Sequence, residues 1–228
     1  MHDMPHRARR PVGVKPPVDR LAKLSYVVVD VETTGTSRLG GDRVTEVAAV
    51  VVRDGRPGET FHSLINPERS IPRFITQLTG ISWSMVKDAP RFRDVAGEFR
   101  TVLGDHVFVA HNATFDWGFV NMELERAGED PLRARRLCTV RLARRLLSHL
   151  PRRSLDHVAA YYGVHVRDRH RALGDATATA HVLAHLLDDA FARGCDTWQD
   201  LATLLRPAGP RRRRWSALPR STSDDLWA

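Results

Sequence analysis

The sequence predicts one mixed α/β domain over residues 22–205, built on a sheet that begins with antiparallel strands and is flanked by helices. A β-branched run at Tyr26–Val29 is typical of a buried strand, and two more strand-like segments follow it across short turns. Amphipathic helical patterns dominate the second half of the chain. The 228 residues, 42% of them hydrophobic, suffice for one sizeable core but would be cramped as two full domains.

Three consecutive strands open the domain. Tyr26–Val29 runs into the sequence Asp-Val-Glu-Thr-Thr-Gly, in which Gly35 marks a turn. A second strand covers about Arg43–Arg53, and the hairpin-forming pair Asp54-Gly55 separates it from a third strand near Glu59–Ile65. These short connections predict an antiparallel meander at the start of a mixed sheet.

Helices fill most of the remaining chain. Residues 72–103 are predicted to be helical in pieces, and Val107–Ala110 is predicted to be a short buried strand. The later helices are predicted over Phe115–Ala127, Thr139–Leu150, Ser154–Tyr162, with Ser154 as N-cap, and 174–192. The last helix is predicted to turn five apolar side chains inward: Ala176, Ala180, Leu183, Leu187 and Phe191.

The positive charge lies in two arms outside the domain. The formal net charge is +8; residues 1–24 hold six basic and two acidic residues, and residues 206–228 again hold six and two. Each end therefore carries +4, and the segment between them is neutral. We expect residues 1–21 and the Arg/Pro-rich residues 206–228 to be flexible arms that add affinity for an anionic partner such as nucleic acid.

Membrane and secretory classes are not supported. The longest apolar run, Val47–Val52, has six residues, whereas a membrane span needs roughly 20. The first residues contain arginine and proline but no apolar core of a signal peptide. Two cysteines, Cys138 and Cys195, cannot build a disulfide framework, so we expect a cytoplasmic protein with Cys138 as a buried small hydrophobe.

Candidate catalytic carboxylates begin at the end of the first strand. Asp30 and Glu32 are two residues apart, so both side chains point to the same face. Neighbouring carboxylates repel and raise each other's pKa unless a cation holds them. The pair alone is also compatible with an acidic strand end that faces solvent.

Two further segments carry candidate residues. Asp116 lies where a short strand meets a helix, a frequent position for functional groups in open α/β sheets, although a helix-start aspartate also serves as a cap. His170 and Asp175 lie at the loop–helix junction before the last helix. Their spacing of five would separate them on one continuous helix, but they can converge at such a junction. An exposed loop histidine is the alternative for His170.

Taken together, these segments resemble the DnaQ-like, or DEDDh, 3′–5′ exonucleases, the family of the proofreading epsilon subunit of bacterial DNA polymerase III. The resemblance covers about residues 25–192. It rests on five motifs in order: Val29–Gly35, Leu78–Ile81, Ala110–Asp116, Ser154–Asp156 and His170–Ala176.

The resemblance implies a ribonuclease H-like mixed sheet flanked by helices. It also implies that the metal ligands are Asp30, Glu32, Asp116 and Asp175, with His170 as general base. Four carboxylates suit two hard divalent ions, Mg²⁺ or Mn²⁺, which activate water and stabilise both reacting oxygens of a phosphodiester. An imidazole can accept a proton near neutral pH.

The resemblance further implies that Thr33, Thr34, Leu78 and Thr79 meet the terminal nucleotide, although the epsilon subunit has a histidine where this chain has Thr79. The implied function is a metal-dependent 3′–5′ exodeoxyribonuclease that releases nucleoside monophosphates from single-stranded or frayed DNA ends, in proofreading or repair, with a DNA polymerase subunit as candidate partner. An exoribonuclease of the ribonuclease T or oligoribonuclease type is the alternative within the same chemistry. A noncatalytic nucleic-acid-binding module on the same fold is the alternative from another class.

Two other patterns favour ordinary surface roles. His181 and His185 have the spacing of zinc ligands on a helix, but neither the glutamate of the His-Glu-x-x-His motif nor a third ligand accompanies them. Three arginines form a stripe on one helix, Arg141, Arg144 and Arg145. Such a stripe is compatible with a nucleic-acid backbone contact and equally with a solvated helix face.

Overall fold

A five-stranded mixed sheet forms the centre of the computed structural model, which describes residues 19–206. The predicted basic arms therefore fall almost entirely outside the described residues. The strands are β1 (Tyr26–Thr33), β2 (Val44–Arg53), β3 (Arg56–Leu64), β4 (Val107–Ala110) and β5 (Arg136–Cys138). Their order in the sheet is β3-β2-β1-β4-β5. β1, β2 and β3 are antiparallel neighbours, while β4 and β5 run parallel to β1, which confirms the predicted mixed sheet.

Eight helices surround this sheet in the described part of the chain, after a short 3₁₀ turn at Leu21–Lys23. They are α1 (Arg73–Thr79), α2 (Trp83–Val86), α3 (Phe92–Leu103), α4 (Ala113–Arg126), α5 (Thr139–Leu146), α6 (Leu155–Tyr161), α7 (Ala172–Ala192) and α8 (Trp198–Leu204). None of the helices within residues 19–206 is long and apolar enough to cross a membrane.

β1 is covered on both faces because its valines alternate between two cores. Val28 and its β2 partner Val50 pack with α5, α6 and α7, whereas Val27 and its partner Val51 pack with α3 and α4. The sequence of a strand that is buried on both faces is continuously apolar and does not alternate between apolar and polar residues. The central position of β1 fixes its carboxyl end between the two helical layers.

Turn chemistry sets the boundary between β2 and β3. Asp54 and Gly55 both have left-handed φ angles, 50° and 73°, as a tight hairpin turn requires. The predicted hairpin is therefore present. Because the turn consists of these two residues alone, β3 begins at Arg56, three residues earlier than its apolar pattern indicated.

Several predicted boundaries are wrong. The helix predicted over Thr139–Leu150 ends at Leu146, where the Arg193 guanidinium binds the Leu146 carbonyl that another helical turn would use. β5 and α8 were not predicted; the three residues of β5 are too few for a periodic pattern. Cys138, at the end of β5, is half-buried rather than buried; it and Cys195 are free thiols.

The inward face of α7 also differs from the prediction at its C-terminal end. Phe191 is 64% exposed, and Leu187 is only partly buried. Leu186 and Ala190 are buried instead, together with Leu183, which was predicted correctly. A spacing of three and four keeps these residues on one stripe, whereas Phe191 lies one residue, about 100°, beyond it.

Gly174 allows the preceding loop to pack on the first turn of α7. A Cβ atom at Gly174 would lie 2.2 Å from the Arg167 carbonyl oxygen and 2.6 Å from that of Asp168. Gly174→Ala must therefore displace this loop, and we expect it to lower the free energy of unfolding by about 1–3 kcal/mol, measured in urea. Gly97→Ala in α3 is the control; its Cβ would meet nothing within 4 Å, so stabilisation by roughly 0.5–1 kcal/mol is expected. Equal losses in both variants would contradict this account.

Candidate active site

Three carboxylates meet at the carboxyl end of β1. Asp30 and Glu32 project from the same face of the strand, and Asp175 joins them from the first turn of α7. One oxygen from each lies within 4.8 Å of the others. Within residues 19–206, no other group of three or more histidine, cysteine or acidic side chains comes together in this way.

Asp116 is the fourth predicted carboxylate, and it reaches the strand from α4. It is 3% exposed, and its Oδ1 accepts a hydrogen bond of 3.3 Å from the Val31 backbone N–H, between Asp30 and Glu32. Asn112, not Asp116, occupies the N-cap of α4. The carboxylate is therefore directed across to β1, and its charge contributes to the raised pKa of Asp30.

Burial and mutual repulsion disfavour ionisation of this cluster. Burial is the main cause that raises the pKa of Glu32 to about 8 and that of Asp116 to about 7, and the charge of Asp175 adds to the effect on Glu32. The pKa of Asp30 lies well above its usual range through burial and then through the charges of its three neighbours. Burial likewise raises the pKa of Asp175. Within the predicted pair, the charge of Glu32 thus contributes to the raised pKa of Asp30.

Arg169 supplies positive charge at the edge of the cluster. Its guanidinium donates to Asp175 Oδ2 and, at 2.6 Å, to Asp156 Oδ1. Its charge opposes the effect of burial on the pKa values of Asp30 and Glu32. One arginine offsets only part of the negative charge that four ionised carboxylates would carry.

The donor set fits divalent cations. Asp175 Oδ1 is buried and finds no hydrogen-bond donor among the described residues, although buried carboxylate oxygens are normally paired. It belongs to a cluster whose ligand atoms are all carboxylate oxygens. Hard ions such as Mg²⁺ and Mn²⁺ prefer such ligands.

His170 converges with Asp175 at the loop–helix junction, as predicted. Its backbone adopts a left-handed φ of 63°, and its backbone N–H and its charge oppose the effect of burial on the pKa of Asp175. The imidazole Nδ1 lies 3.5 Å from Arg169 Nη1, so the side chain is at the rim of the cluster. The side chain is half-buried beside an arginine, and its role as general base stays a prediction.

The paired threonines shape the turn after β1. Thr33 Oγ1 donates to the Gly35 carbonyl at 2.6 Å, and Thr34 Oγ1 donates to Asp42 Oδ1 at 2.9 Å. Both side chains are buried. With their hydroxyls engaged inside the protein, contact with a nucleotide would come from the backbone of this turn.

Leu78 and Thr79 differ sharply in exposure. Leu78 is 53% exposed and offers an apolar surface, whereas Thr79 is 4% exposed. The Thr79 hydroxyl donates to the Ile75 carbonyl and accepts from the Ile81 N–H, which ends α1 and begins the next turn. Of these two residues, Leu78 presents the side chain that a ligand could touch.

Two buried glutamates near the site were missed from the sequence. Glu46 on β2 and Glu123 on α4 are 0% and 1% exposed, and each binds an arginine. A single charged residue inside the apolar strand Val44–Arg53 was the available signal for Glu46. Its neighbours on both sides are apolar or small, so a strand pattern alone could not show what it binds.

His111, in the motif that contains Asp116, joins three segments. Its Nδ1 lies 2.9 Å from Thr139 Oγ1 and its Nε2 2.9 Å from the Arg153 carbonyl oxygen. Burial lowers its pKa to about 4, so the ring is neutral at pH 7. Its contacts indicate a structural role between β4, α5 and the loop before α6.

The arginine stripe and the paired histidines also have local contacts. Arg141 donates to the Leu205 carbonyl, and Arg145 donates to that of Arg206, so both bind the end of α8. His185 stacks on Tyr162 with ring centroids 4.9 Å apart. Neither His181 nor His185 belongs to a potential metal-binding group in the described part of the chain.

Comparison with known proteins identifies the family. A family model described as Exonuclease, RNase_T, matches residues 27–183, and the chain belongs to this exonuclease family. It is 37% identical over 195 residues to the PolC-type DNA polymerase III of Staphylococcus saprophyticus, covering 86% of this chain and 14% of that polymerase. It is 38% identical over 174 residues to the corresponding Bacillus cereus protein, covering 76% and 12%. The chain thus spans about one-seventh of the length of these relatives.

Solved structures agree with this assignment. Exonuclease X in complex with 5′ overhanging duplex DNA is 26% identical with a TM-score of 0.62, and the match covers 79% of this chain and 99% of that one. The nuclease domain of 3′hExo, a DEDDh family member bound to rAMP, shares the fold at 19% identity and a TM-score of 0.63, covering 78% and 96%. The predicted resemblance to DEDDh exonucleases and the ribonuclease H-like fold are confirmed.

The raised pKa values predict how stability depends on pH. With the pKa of Glu32 at about 8 and that of Asp116 at about 7, the folded chain binds more protons than the unfolded chain from about pH 4 upward. In EDTA, the free energy of unfolding should therefore fall as pH rises through this window to about 8. Saturating Mn²⁺ should stabilise the fold more at pH 8 than at pH 5, because ionised carboxylates bind the cation.

Denaturant titrations at several pH values measure this effect. In EDTA, Glu32→Gln should make the free energy of unfolding fall less steeply with pH, because it removes one carboxyl group whose pKa is raised by folding. Asp188→Asn, at an exposed position of α7, is the matched control and should leave the slope unchanged. A slope that responds equally to both changes would contradict the assignment to the cluster.

Proposed function

We propose that this chain is a divalent-cation-dependent 3′–5′ exonuclease that hydrolyses the terminal phosphodiester bond of DNA and releases nucleoside monophosphates. One observation carries the proposal: β1, α4 and α7 bring Asp30, Glu32, Asp116 and Asp175 to one place, where Arg169 compensates only part of their charge. Membership of the exonuclease family supports the same chemistry.

Each residue has a distinct role in this proposal. Asp30, Glu32, Asp116 and Asp175 would hold two Mg²⁺ or Mn²⁺ ions, with Asp30 lying among the other carboxylates. The ions would lower the pKa of the attacking water and stabilise charge on the phosphate oxygens. His170 would take the proton from that water.

The substrate would enter with its 3′ end between two surfaces. The backbone at Thr33 and Thr34 would meet the terminal nucleotide on one side, with the exposed Leu78 and the neighbouring Thr79 on the other. DNA is favoured because the PolC-type relatives are named as DNA polymerases and the Exonuclease X structure contains DNA. The same relatives support action in the cytoplasm with a DNA polymerase, in replication or repair.

The two basic arms would add affinity to this site rather than chemistry. Residues 1–21 and 206–228 flank the proposed exonuclease domain, and none of the five proposed catalytic residues lies in them. Lysine and arginine that neutralise phosphates make binding fall with salt, by a slope of roughly 0.7 per phosphate on single strands.

An exonuclease needs a free end, which gives a direct test. Linear single-stranded DNA with a 3′ hydroxyl and a 5′ label should be shortened in Mg²⁺ or Mn²⁺ with release of mononucleotides, and EDTA should abolish the reaction. A circle of the same sequence should survive the same exposure. Efficient cutting of the circle would overturn the exonuclease proposal, and faster loss of a matched RNA would make RNA the substrate.

Separate substitutions distinguish the cation ligands from the base. Asp30→Ala removes a proposed cation ligand from the middle of the cluster, so both Mn²⁺ binding and activity should be lost. His170→Ala leaves all four carboxylates in place; it should retain Mn²⁺ binding and lose about 10²–10⁴-fold in kcat, as expected for a positioned base. Calorimetric Mn²⁺ titrations and single-turnover rates at pH 7 measure the difference.

His181→Ala on the exposed side of α7 is the control for these variants and should keep kcat within about twofold. Raising the pH should restore part of the His170→Ala rate, because hydroxide reduces the need for a base. A His170→Ala protein as fast as wild type at pH 7 would show that the base lies elsewhere. One that no longer binds Mn²⁺ would assign His170 to holding the site together.

A further inference from the structure

Glu46 is a buried charge at the edge of the proposed active site. It pairs with Glu32 across the antiparallel β1–β2 register, and its side chain is 0% exposed. Its charge is one of the causes that raise the pKa of Glu32. Burying a carboxylate beside another acid is costly unless it is fully paired, so its partners indicate its purpose.

Both oxygens of Glu46 are occupied by donors from two other elements. Oε1 accepts from Arg171 Nη2 at 2.7 Å and lies 2.7 Å from His62 Nε2 on β3. Oε2 accepts from the Ala172 backbone N–H at 2.9 Å and from Arg171 Nε at 3.1 Å. Burial raises the pKa of Glu46, but these hydrogen bonds outweigh it and hold the pKa below its usual value.

Its partners form the beginning of α7. Arg171 is the N-cap and Ala172 is the first helical residue, and no side chain of the N-cap residue itself caps the helix. A carboxylate at this end satisfies a free N–H group and interacts favourably with the helix dipole. Glu46 therefore performs from β2 the function that a local capping residue performs in other helices.

By holding Arg171 and Ala172 in place, Glu46 also restricts the positions of two proposed catalytic residues. His170 immediately precedes Arg171, and the Asp175 N–H donates to the Arg171 carbonyl at 3.0 Å in the first turn. Asp30 and Glu32 lie on β1, which is the direct neighbour of β2 in the sheet. Glu46 thus links β2, the sheet neighbour of the strand that carries two carboxylates, to the helix that carries a third.

We infer that Glu46 is a positioning residue that holds Asp175 and His170 in register with the carboxylates of β1. The inference rests on the proposed function for its consequence in catalysis, but its effect on cation binding can be measured without nucleic acid. Partners outside the ligand shell typically contribute 10–100-fold to metal affinity or activity when they orient the ligands.

The test is Glu46→Gln, which keeps the shape of the side chain but places an amide group against donors. We expect the Mn²⁺ dissociation constant, from calorimetry, to rise about 10–100-fold. In DNA hydrolysis at saturating Mn²⁺, kcat should fall at least about tenfold while KM changes less than about twofold, because Glu46 orients ligands and does not face the substrate. A general loss of stability would not produce this split.

Glu123→Gln is the matched control. Glu123 is equally buried and binds Arg43 Nε at 2.7 Å, but it makes no bond to α7 and lies two turns of α4 beyond Asp116, whose carboxylate the Val31 N–H binds directly. It should lower the free energy of unfolding, while the Mn²⁺ dissociation constant and kcat stay within about twofold of wild type. Equal effects of both variants on cation binding would overturn the inference.

A wild-type Mn²⁺ affinity in folded Glu46→Gln would overturn it as well. If that variant does not fold, Arg171→Lys decides by the same criteria, since lysine keeps the charge but loses the two-pronged contact. A wild-type chain that binds Mn²⁺ but degrades no nucleic acid would refute the proposed function, and the calorimetric comparison would still decide the role of Glu46. A wild-type chain that binds no Mn²⁺ would refute both.

Discussion

Repulsion among four carboxylates, of which Asp116 and Asp175 are buried and Asp30 and Glu32 half-buried, is the constraint on which the rest of this structure depends. Oxygen atoms of Asp30, Glu32 and Asp175 lie within 4.8 Å of one another, and ionised groups this close would move apart if they lay on flexible loops. Burial further disfavours the ionised form of each carboxylate. The chain meets this constraint by placing Asp30 and Glu32 on the central strand, which has a sheet neighbour on each side and a helical layer on each face. Asp116 and Asp175 then approach from helices that belong to opposite layers. The rigidity of β1 and of the two layers therefore determines the spacing of the oxygens.

β2 contributes no carboxylate to the cluster, yet it is bonded to both helices that do. Glu46 binds the first residues of α7, and the Glu123 carboxylate of α4 binds the Arg43 side chain and the Val44 N–H where β2 begins. In each case the carboxylate is buried and its arginine is partly exposed, so removing the arginine would leave an uncompensated charge inside the protein. Such pairs add less to stability than apolar packing would, but they join elements at a defined distance. The ion pairs of Glu46 and Glu123 thus connect β2 to the helical layers on both faces of the sheet.

Much of the site could be predicted because its signals are local. Alternation in a strand puts Asp30 and Glu32 on one face, and the resemblance of five short motifs added Asp116, His170 and Asp175. The errors have physical causes of a different kind. α5 ends at Leu146 because Arg193, which is 47 residues away in sequence, binds its last carbonyl. β5 is defined by its pairing with β4 and not by its own three residues. Glu46 and Arg169 act through partners on other elements, so neither leaves a periodic pattern in the sequence.

The charge balance explains why the cluster favours cations over further arginines. Arg169 already divides its guanidinium between Asp175 and Asp156, and it leaves Asp175 Oδ1 without a donor and the pKa of Asp30 well above its usual range. A second arginine would bring a planar group with fixed donor directions, which cannot face several carboxylates at once. A divalent ion carries twice the charge in a much smaller volume and accepts oxygen ligands from several directions. Because Asp156 is exposed and binds Arg169 from outside the cluster, the guanidinium can keep this partner while Asp175 coordinates an ion. The arginine therefore screens part of the repulsion without occupying the position that a catalytic cation would need.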